Sequence, residues 1–293
     1  MAIDKHNIWL KSILGDTAKE FIAKILFFSR NKYILFNIFN RAKANRVNLN
    51  YWSEAENLGD LLSPIVVNYL LGKRGLTSEV QVSQTRHFYA VGSILTAGQQ
   101  DATVWGSGIL NCKILYRLKN RKLDIRSVRG PLTRLILMEY GYQVPEIYGD
   151  PAIIMPDIYR PLNRRKKYKY GLVLHKDYKL KYDNSEDTIL LDIKTSDYRS
   201  FIDRLAEVET VISSSLHGII LAEVYGVHAV LLKPQVDLFK YYDYYYGTNR
   251  LSFPMANSVE EAKTTNPPFL PDFDILKERL IEAFPYDIYS IGE

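Results

Sequence analysis

From residue 51 onward the chain alternates short β-rich runs with helical stretches, and this alternation restricts the folds open to it more than any other feature. Strand, helix and strand in succession build parallel sheet, because a parallel connection needs a crossover long enough to bring the chain back to the same end. Two blocks carry the pattern. In the first, Asn57-Leu58-Gly59-Asp60 opens a helix that runs through Leu71, with Asp60 as its N-cap. Residues 87–92, 102–106 and 124–128 read as strands, and 130–140 as a helix closed by Gly141. In the second, strands at 170–175, 188–193, 210–213 and 228–232 alternate with helices at 197–208 and 216–225, the latter capped by Gly226. Arg160, Arg164, Arg165, Lys166 and Lys167 fall in a polar stretch without periodicity, which marks residues 159–169 as a linker. The expected architecture is α/β: two Rossmann-like domains, 51–158 and 170–285, facing a cleft at the carboxyl ends of their sheets.

The formal charge of +5 on 293 residues is unevenly placed. Residues 1–50 hold nine lysines and arginines against three acids, a net +6, which leaves the remainder at −1. A body without net positive charge argues against general nucleic-acid binding, since neutralising phosphates requires a basic face. The same fifty residues carry Trp9 and the apolar runs 21–28 and 33–39 between lysines and arginines. No run reaches the roughly 18 to 20 apolar residues of a spanning helix, and none precedes a cleavage site of small residues. This extra N-terminal segment is expected to be helical and amphipathic. It either lies in the headgroup layer of an anionic membrane or packs on the body. The single Cys112 allows no intrachain disulfide and no cysteine-based zinc site, which fits a reducing, cytoplasmic compartment.

Walker loops, a GxGxxG turn, HExxH and GxSxG are absent from the sequence. The polar groups left for chemistry sit at strand ends. Ser213, Ser214 and Ser215 close a strand, and His217 lies in the first turn of the next helix. Hydroxyls, free backbone N–H groups and an imidazole at a helix N-terminus either bind an anion and move a proton, or simply cap the helix. In Ser127-Val128-Arg129-Gly130-Pro131, Arg129 takes a similar strand-end position, as a carboxylate or phosphate clamp or as a surface arginine. His175 and Lys176 end the first strand of the second block, and Asp150 either serves the site or fixes the turn before Pro151.

Asn57-Leu58-Gly59-Asp60, Val104-Trp105-Gly106-Ser107-Gly108, Val128-Arg129-Gly130-Pro131-Leu132-Thr133, Gly149-Asp150-Pro151-Ala152 and Ser214-Ser215-Leu216-His217-Gly218 occur in that order. Together they resemble the polysaccharide pyruvyl transferase family from about residue 50 to about residue 250. The resemblance implies a GT-B-like fold, phosphoenolpyruvate as donor, and a sugar of a surface polysaccharide or its lipid-linked precursor as acceptor. The product it implies is a pyruvate ketal, and no separate cofactor or metal is called for. Carried over by motif, His217 is the acid that protonates the enol carbon. Arg129, Ser214, Ser215, Gly218, His175 and Lys176 are the donor-binding group. Many members carry an arginine where Ser215 stands, so one expected positive charge is missing. Asp60 is then either the base or a helix cap, and Asn57 meets the acceptor. Asp243 and Tyr244, in the tyrosine-rich run 241–246, either contact the acceptor sugar or pack on the core. A nucleotide-sugar glycosyltransferase of the same architecture is the alternative, and a catalytically silent scaffold of polysaccharide assembly is a third. The first reading places the protein at the inner face of the cytoplasmic membrane, held there by residues 1–50.

Overall fold

The computed structural model describes residues 42–290 apart from positions 54, 99, 111, 177, 179–181 and 183. Of the segment expected to be a membrane-lying helix, residues 1–41 lie outside the described residues. Its end is not helical: Val47–Asn50 forms β1, the edge strand of a parallel sheet. Val47 turns inward and pairing with β2 (Arg86–Tyr89) satisfies the backbone, so sheet formation overrides the apparent helical pattern. This sheet continues with β3 (Ala102–Trp105) and β4 (Leu123–Ser127), in the order β1-β2-β3-β4 and parallel throughout. Helix α1 (Leu58–Gly72) buries Leu58, Leu62, Val66 and Leu70, a four-residue spacing that draws one apolar stripe along it. Helix α2 (Pro131–Glu139) follows β4, with Pro131 at its first turn.

A 3₁₀ turn, Pro151–Ile154, and the short helix α3 (Met155–Ile158) lead to the second sheet. Its order is β6 (Thr188–Leu190), β5 (Tyr168–Val173), β7 (Val208–Ser213), β8 (His228–Leu232) and β9 (Met255–Ala256), again all parallel. Helices α4 (Tyr198–Ala206), α5 (Leu216–Val224), α6 (Phe239–Gly247) and α7 (Val259–Thr264) make the crossovers and flank. Because β6 lies on one side of β5 and β7 on the other, the strand order reverses between β5 and β7. Open α/β sheets bind ligands in the crevice at the carboxyl ends of such a pair. β5 begins inside the stretch read as a linker, since the N–H groups of Lys167 and Tyr168 both donate to the Glu207 carbonyl, at 2.7 and 3.2 Å.

The two sheets share one continuous core. Phe88 and Trp105 of the first, α1, and Val173, Val211 and Leu231 of the second belong to the same apolar cluster. Along β5, Tyr170 and Leu172 face another cluster with Ile212 and Val230, so both faces of the second sheet are dry, as its near-continuous apolar strands require.

The C-terminal segment differs from the expected boundary at 285. Helix α8 (Asp274–Glu282) and the turn Tyr286–Tyr289 return to the first sheet. The Trp105 indole N–H donates to the Leu280 carbonyl at 2.7 Å, and Phe284 meets Trp105 edge-on with ring centroids 4.9 Å apart. Arg126 pairs with Asp287 at 2.8 Å. The segment packs its own aromatics on a patch of the first sheet formed by Phe88 and Trp105. Phe284→Ala should therefore destabilise the fold by about 3–5 kcal/mol, read as a lower midpoint in urea with an unchanged slope.

Candidate functional site

His217 lies at the switch between β5 and β7. Ser214 N–H donates to the Val173 carbonyl at 3.1 Å, and the His175 N–H donates to Ser214 Oγ at 2.9 Å, which ties the two strand ends together. Ser213 Oγ accepts the Ser215 N–H at 3.0 Å. Ser215 is the N-cap of α5, in extended conformation and without a side-chain cap bond, so His217 is carried in the first turn of the helix.

Three further elements close on the imidazole. The first is α1. Its N-cap is Asn57, not Asp60, so Asp60 sits within the first turn and its carboxylate is not spent on capping. A Cβ on Gly59 would overlap the His217 ring at Nδ1, so glycine is the residue that lets the ring lie against the α1 backbone. Asn57 Nδ2 donates to Asp60 Oδ2 at 2.5 Å, and Asp60 Oδ1 faces Gly92 at the end of the β2 loop. The second is the turn after Tyr148, which bridges to Val128 beside β4. Gly149 there has φ of 145°, a conformation side chains rarely adopt, and it delivers Asp150. Asp150 Oδ1 accepts the Ala152 N–H at 3.0 Å, which fixes the turn. Its Oδ2 lies 3.6 Å from His217 Nε2. Both atoms are buried without another hydrogen-bond partner, and the Asp150 side chain is fully buried. The third is α6, whose Tyr241 hydroxyl donates to the carbonyl of Ser214 in the turn that carries His217.

Burial pushes the Asp60 carboxyl above its ordinary value, against the opposing influence of His217, Asn57, Lys240 and Lys176. A carboxyl that resists ionisation beside an imidazole paired with a second carboxylate is equipped to exchange protons. Lys176, from the end of β5, lies with Nζ 5.8 Å from the Trp52 ring centroid, and Trp52 Nε1 is buried without a partner. Trp52 was not among the residues singled out from the sequence, which offers no signal beyond its place after β1. A hollow of about 440 Å³ at the amino ends of β2 to β4 is lined by His87, Asp101, Lys122 and Asp124. It lies at the wrong end of a parallel sheet for ligand binding.

Several expected contacts are corrected by burial. Arg129 is fully buried: its Nη2 lies 3.0 Å from Asp243 Oδ2, and it also donates to Ser93 Oγ at 2.5 Å and to the Ile109 carbonyl at 2.8 Å. It has no open face for a donor, because its fork is filled inside the protein. Asp243 is closed in the same way, accepting from Thr133 N–H at 2.9 Å and Thr133 Oγ1 at 2.7 Å. Tyr244 donates to Glu223 at 2.6 Å in the core, so neither residue is placed to contact an acceptor. Ser214 is fully buried, and its carbonyl accepts the Tyr241 hydroxyl at 2.6 Å. Gly218 is a packing residue, since a Cβ there would overlap Ser213 Oγ. Asn57, Asp60, His217, Lys176 and Asp150 are brought together; His175 is joined to them through its backbone. Among the described residues no group of three or more His, Cys, Asp or Glu is arranged to hold a metal ion, and no helix is long and apolar enough to cross a membrane.

The raised Asp60 carboxyl has a measurable consequence. Its ionised form costs stability at neutral pH, and the cost disappears below the unfolded carboxylate value of about 4, where both states are protonated. Asp60→Asn should thus raise the unfolding temperature at pH 7. The gain should shrink toward zero as pH falls, measured by thermal unfolding across pH.

A family model described as polysaccharide pyruvyl transferase matches residues 84–235, just over half the chain, and takes in Asp150 and His217. Uncharacterized protein L143 of Acanthamoeba polyphaga mimivirus is 26% identical over 210 residues, covering 67% of this chain and 72% of that protein. Succinoglycan biosynthesis protein ExoV of Rhizobium meliloti (strain 1021) is 30% identical over 207 residues, 66% of this chain. The match spans 62% of ExoV's own length. With His217 and Asp150 inside the matched span and at the carboxyl ends of two parallel sheets, this chain belongs to the polysaccharide pyruvyl transferase family.

Proposed function

We propose that this protein transfers the pyruvyl group of phosphoenolpyruvate to two hydroxyls of one sugar in a lipid-linked polysaccharide precursor, forming a ketal. The observation that carries the reading is His217 at the β5/β7 crevice, with the buried Asp150 carboxylate 3.6 Å from its Nε2 and its ring against Gly59, next to Asp60 in α1. His217 gives a proton to the methylene carbon of the enol, which becomes a methyl group. The first sugar oxygen bonds to the adjacent carbon and its proton passes to Asp60. The carbon–oxygen bond to phosphate then breaks, the second sugar oxygen closes the ring, and its proton leaves with inorganic phosphate. Asp60 returns its proton to His217, so two protons enter from hydroxyls and two leave, one in the methyl group and one on phosphate.

The buried Asp150 supports the charged imidazolium from the Nε2 side. The phosphate is received by the backbone N–H groups at the start of α5, with His175 and Ser215 beside them. Asn57 and Trp52 border the acceptor side. The donor arrives activated, and the reaction as written calls on no separate cofactor. The net +6 and the aromatic residues of the first fifty positions suit attachment at the cytoplasmic membrane face, where a lipid-linked acceptor resides. The two sheets would then face one another across a GT-B-like cleft that admits donor and acceptor together.

Incubation with phosphoenolpyruvate and a lipid-linked oligosaccharide should release phosphate and add a pyruvate ketal, seen by mass spectrometry. Stabilisation by a nucleoside diphosphate, with none by phosphoenolpyruvate, would favour sugar transfer from a nucleotide instead. His217→Ala should lower turnover by about 10²–10⁴-fold in a protein that circular dichroism shows still folded. Gly59→Ala separates geometry from chemistry. Alanine favours a helix by about 1 kcal/mol over glycine, yet its methyl displaces the imidazole. The variant should remain folded and lose roughly 100-fold in turnover, as misplacing a catalytic group by about 1 Å does.

A further inference from the structure

Asp150 reaches His217 from a turn that does little to fix the distance between them. Its Oδ1 accepts the Ala152 N–H, but Oδ2 and His217 Nε2 stand 3.6 Å apart with no other hydrogen-bond partner. Their separation is therefore set by where the backbone of Gly149 and Asp150 is placed. At that length a shift of a few tenths of an ångström decides whether a hydrogen bond forms. Gly149, at φ of 145°, has freedom that other residues lack, so packing has to hold it in place.

Three contacts supply that packing. The Gly149 N–H donates to the Val128 carbonyl at 3.1 Å, beyond the end of β4. After β3, Gly106 meets Pro151 so closely that a Cβ there would overlap the proline ring. The third contact comes from α8. Leu280 is fully buried, and its Cδ2 stands 3.4 Å from where a Cβ would sit on Gly149. Leu280 is itself held, because its carbonyl accepts the Trp105 indole N–H at 2.7 Å. Trp105 directly precedes Gly106, so one tryptophan ties the helix that backs the Asp150 turn to the loop that grips its proline. Leu280 lies well beyond residue 235, where the family match ends.

We infer that Leu280 is a positioning residue for the reaction: pinned by Trp105, its side chain holds the Gly149–Asp150 turn at the distance from which Asp150 serves His217. The inference rests on the proton-transfer role proposed for His217. Shortening the side chain leaves a void beside Gly149 into which the turn relaxes. Asp150 then moves with the turn, and the imidazolium loses its support in the chemical step. The start of α5, where the phosphate is received, is built by other contacts, so donor binding is spared.

The test compares wild type, Leu280→Ala, Leu280→Met, Trp105→Phe, Asp150→Asn and Ile288→Ala, the last a change that loosens the same C-terminal segment elsewhere. Initial rates are measured across pH and phosphoenolpyruvate concentration, and the His217 ring signals are followed by NMR in histidine-labelled protein. Leu280→Ala should lower kcat by about 10- to 100-fold, as misplacing a group by up to about 1 Å does, with KM for phosphoenolpyruvate little changed. Its pH profile and its His217 signals should move toward those of Asp150→Asn. Trp105→Phe, which loses only the indole N–H, should move them the same way by less. Leu280→Met, which keeps the volume, should restore most of the turnover. Ile288→Ala should lower stability and leave kcat and the His217 signals as in wild type. A folded Leu280→Ala protein with wild-type His217 signals would overturn the inference, even if its turnover fell. So would Ile288→Ala matching Leu280→Ala in both readouts. Should Leu280→Ala fail to fold, Leu280→Val and Trp105→Phe make the same comparison. Wild type without pyruvyl transfer would overturn the proposed reaction, while the His217 signals would still decide whether Leu280 places Asp150.

Discussion

The ion pair between Arg129 and Asp243 is the interaction on which the rest of the arrangement hangs. It joins the turn after β4 to the first turns of α6, a crossover helix of the second sheet, and both side chains are fully buried. Such a pair adds little net stability over an apolar replacement, but removing one partner strands a buried charge at a cost of about 3–5 kcal/mol. Its worth here is positional. The remaining oxygen valences of Asp243 are taken by Thr133, and the remaining guanidinium donors by Ser93 and Ile109, so neither group can turn without breaking several bonds. The backbones meet as closely: a Cβ on Gly130 would overlap the Asp243 carbonyl.

From that fixed point the site follows by short steps. Tyr241, two residues before Asp243, holds the Ser214 carbonyl and so sets the turn that carries His217. Gly59 lets α1 come up to the imidazole, and the Leu58 N–H donates to the Ile193 carbonyl at 2.9 Å, so the helix start is held by the loop after β6. The groups proposed to react thus come from elements of both sheets, yet each is held by contacts that cross between them. Chemistry at a boundary of this kind depends on packing as much as on the reacting residues themselves.

The electrostatics of the site run against stability. Asp60 is half-buried and its carboxyl is raised; Asp150 and His217 present buried atoms to each other across 3.6 Å without a proper hydrogen bond. Titratable groups held in this way suit the proton exchange proposed for them. The surrounding core, continuous from β2 through α1 to β8, makes good the cost.

The sequence by itself determined the class of fold and most of the elements. Periodicity and strand-end punctuation are local, so α2, α4, α5 and the strands β2 to β8 were legible to within about three residues, while the edge strands β1 and β9 were not. His217 at a helix start and the clustering of Asn57, Gly59 and Asp60 were legible for the same reason. What the tertiary structure alone decided is which polar groups reach the crevice and which are consumed inside. Arg129 and Asp243 are 114 positions apart in the chain, and nothing local reveals that they neutralise each other. The path of α8 back to the first sheet and the pairing of Asp150 with His217 are likewise long-range. A side chain's type and its place on an element follow from its neighbours in sequence; its partner follows from how the sheets pack, because charge and burial act through space rather than along the chain.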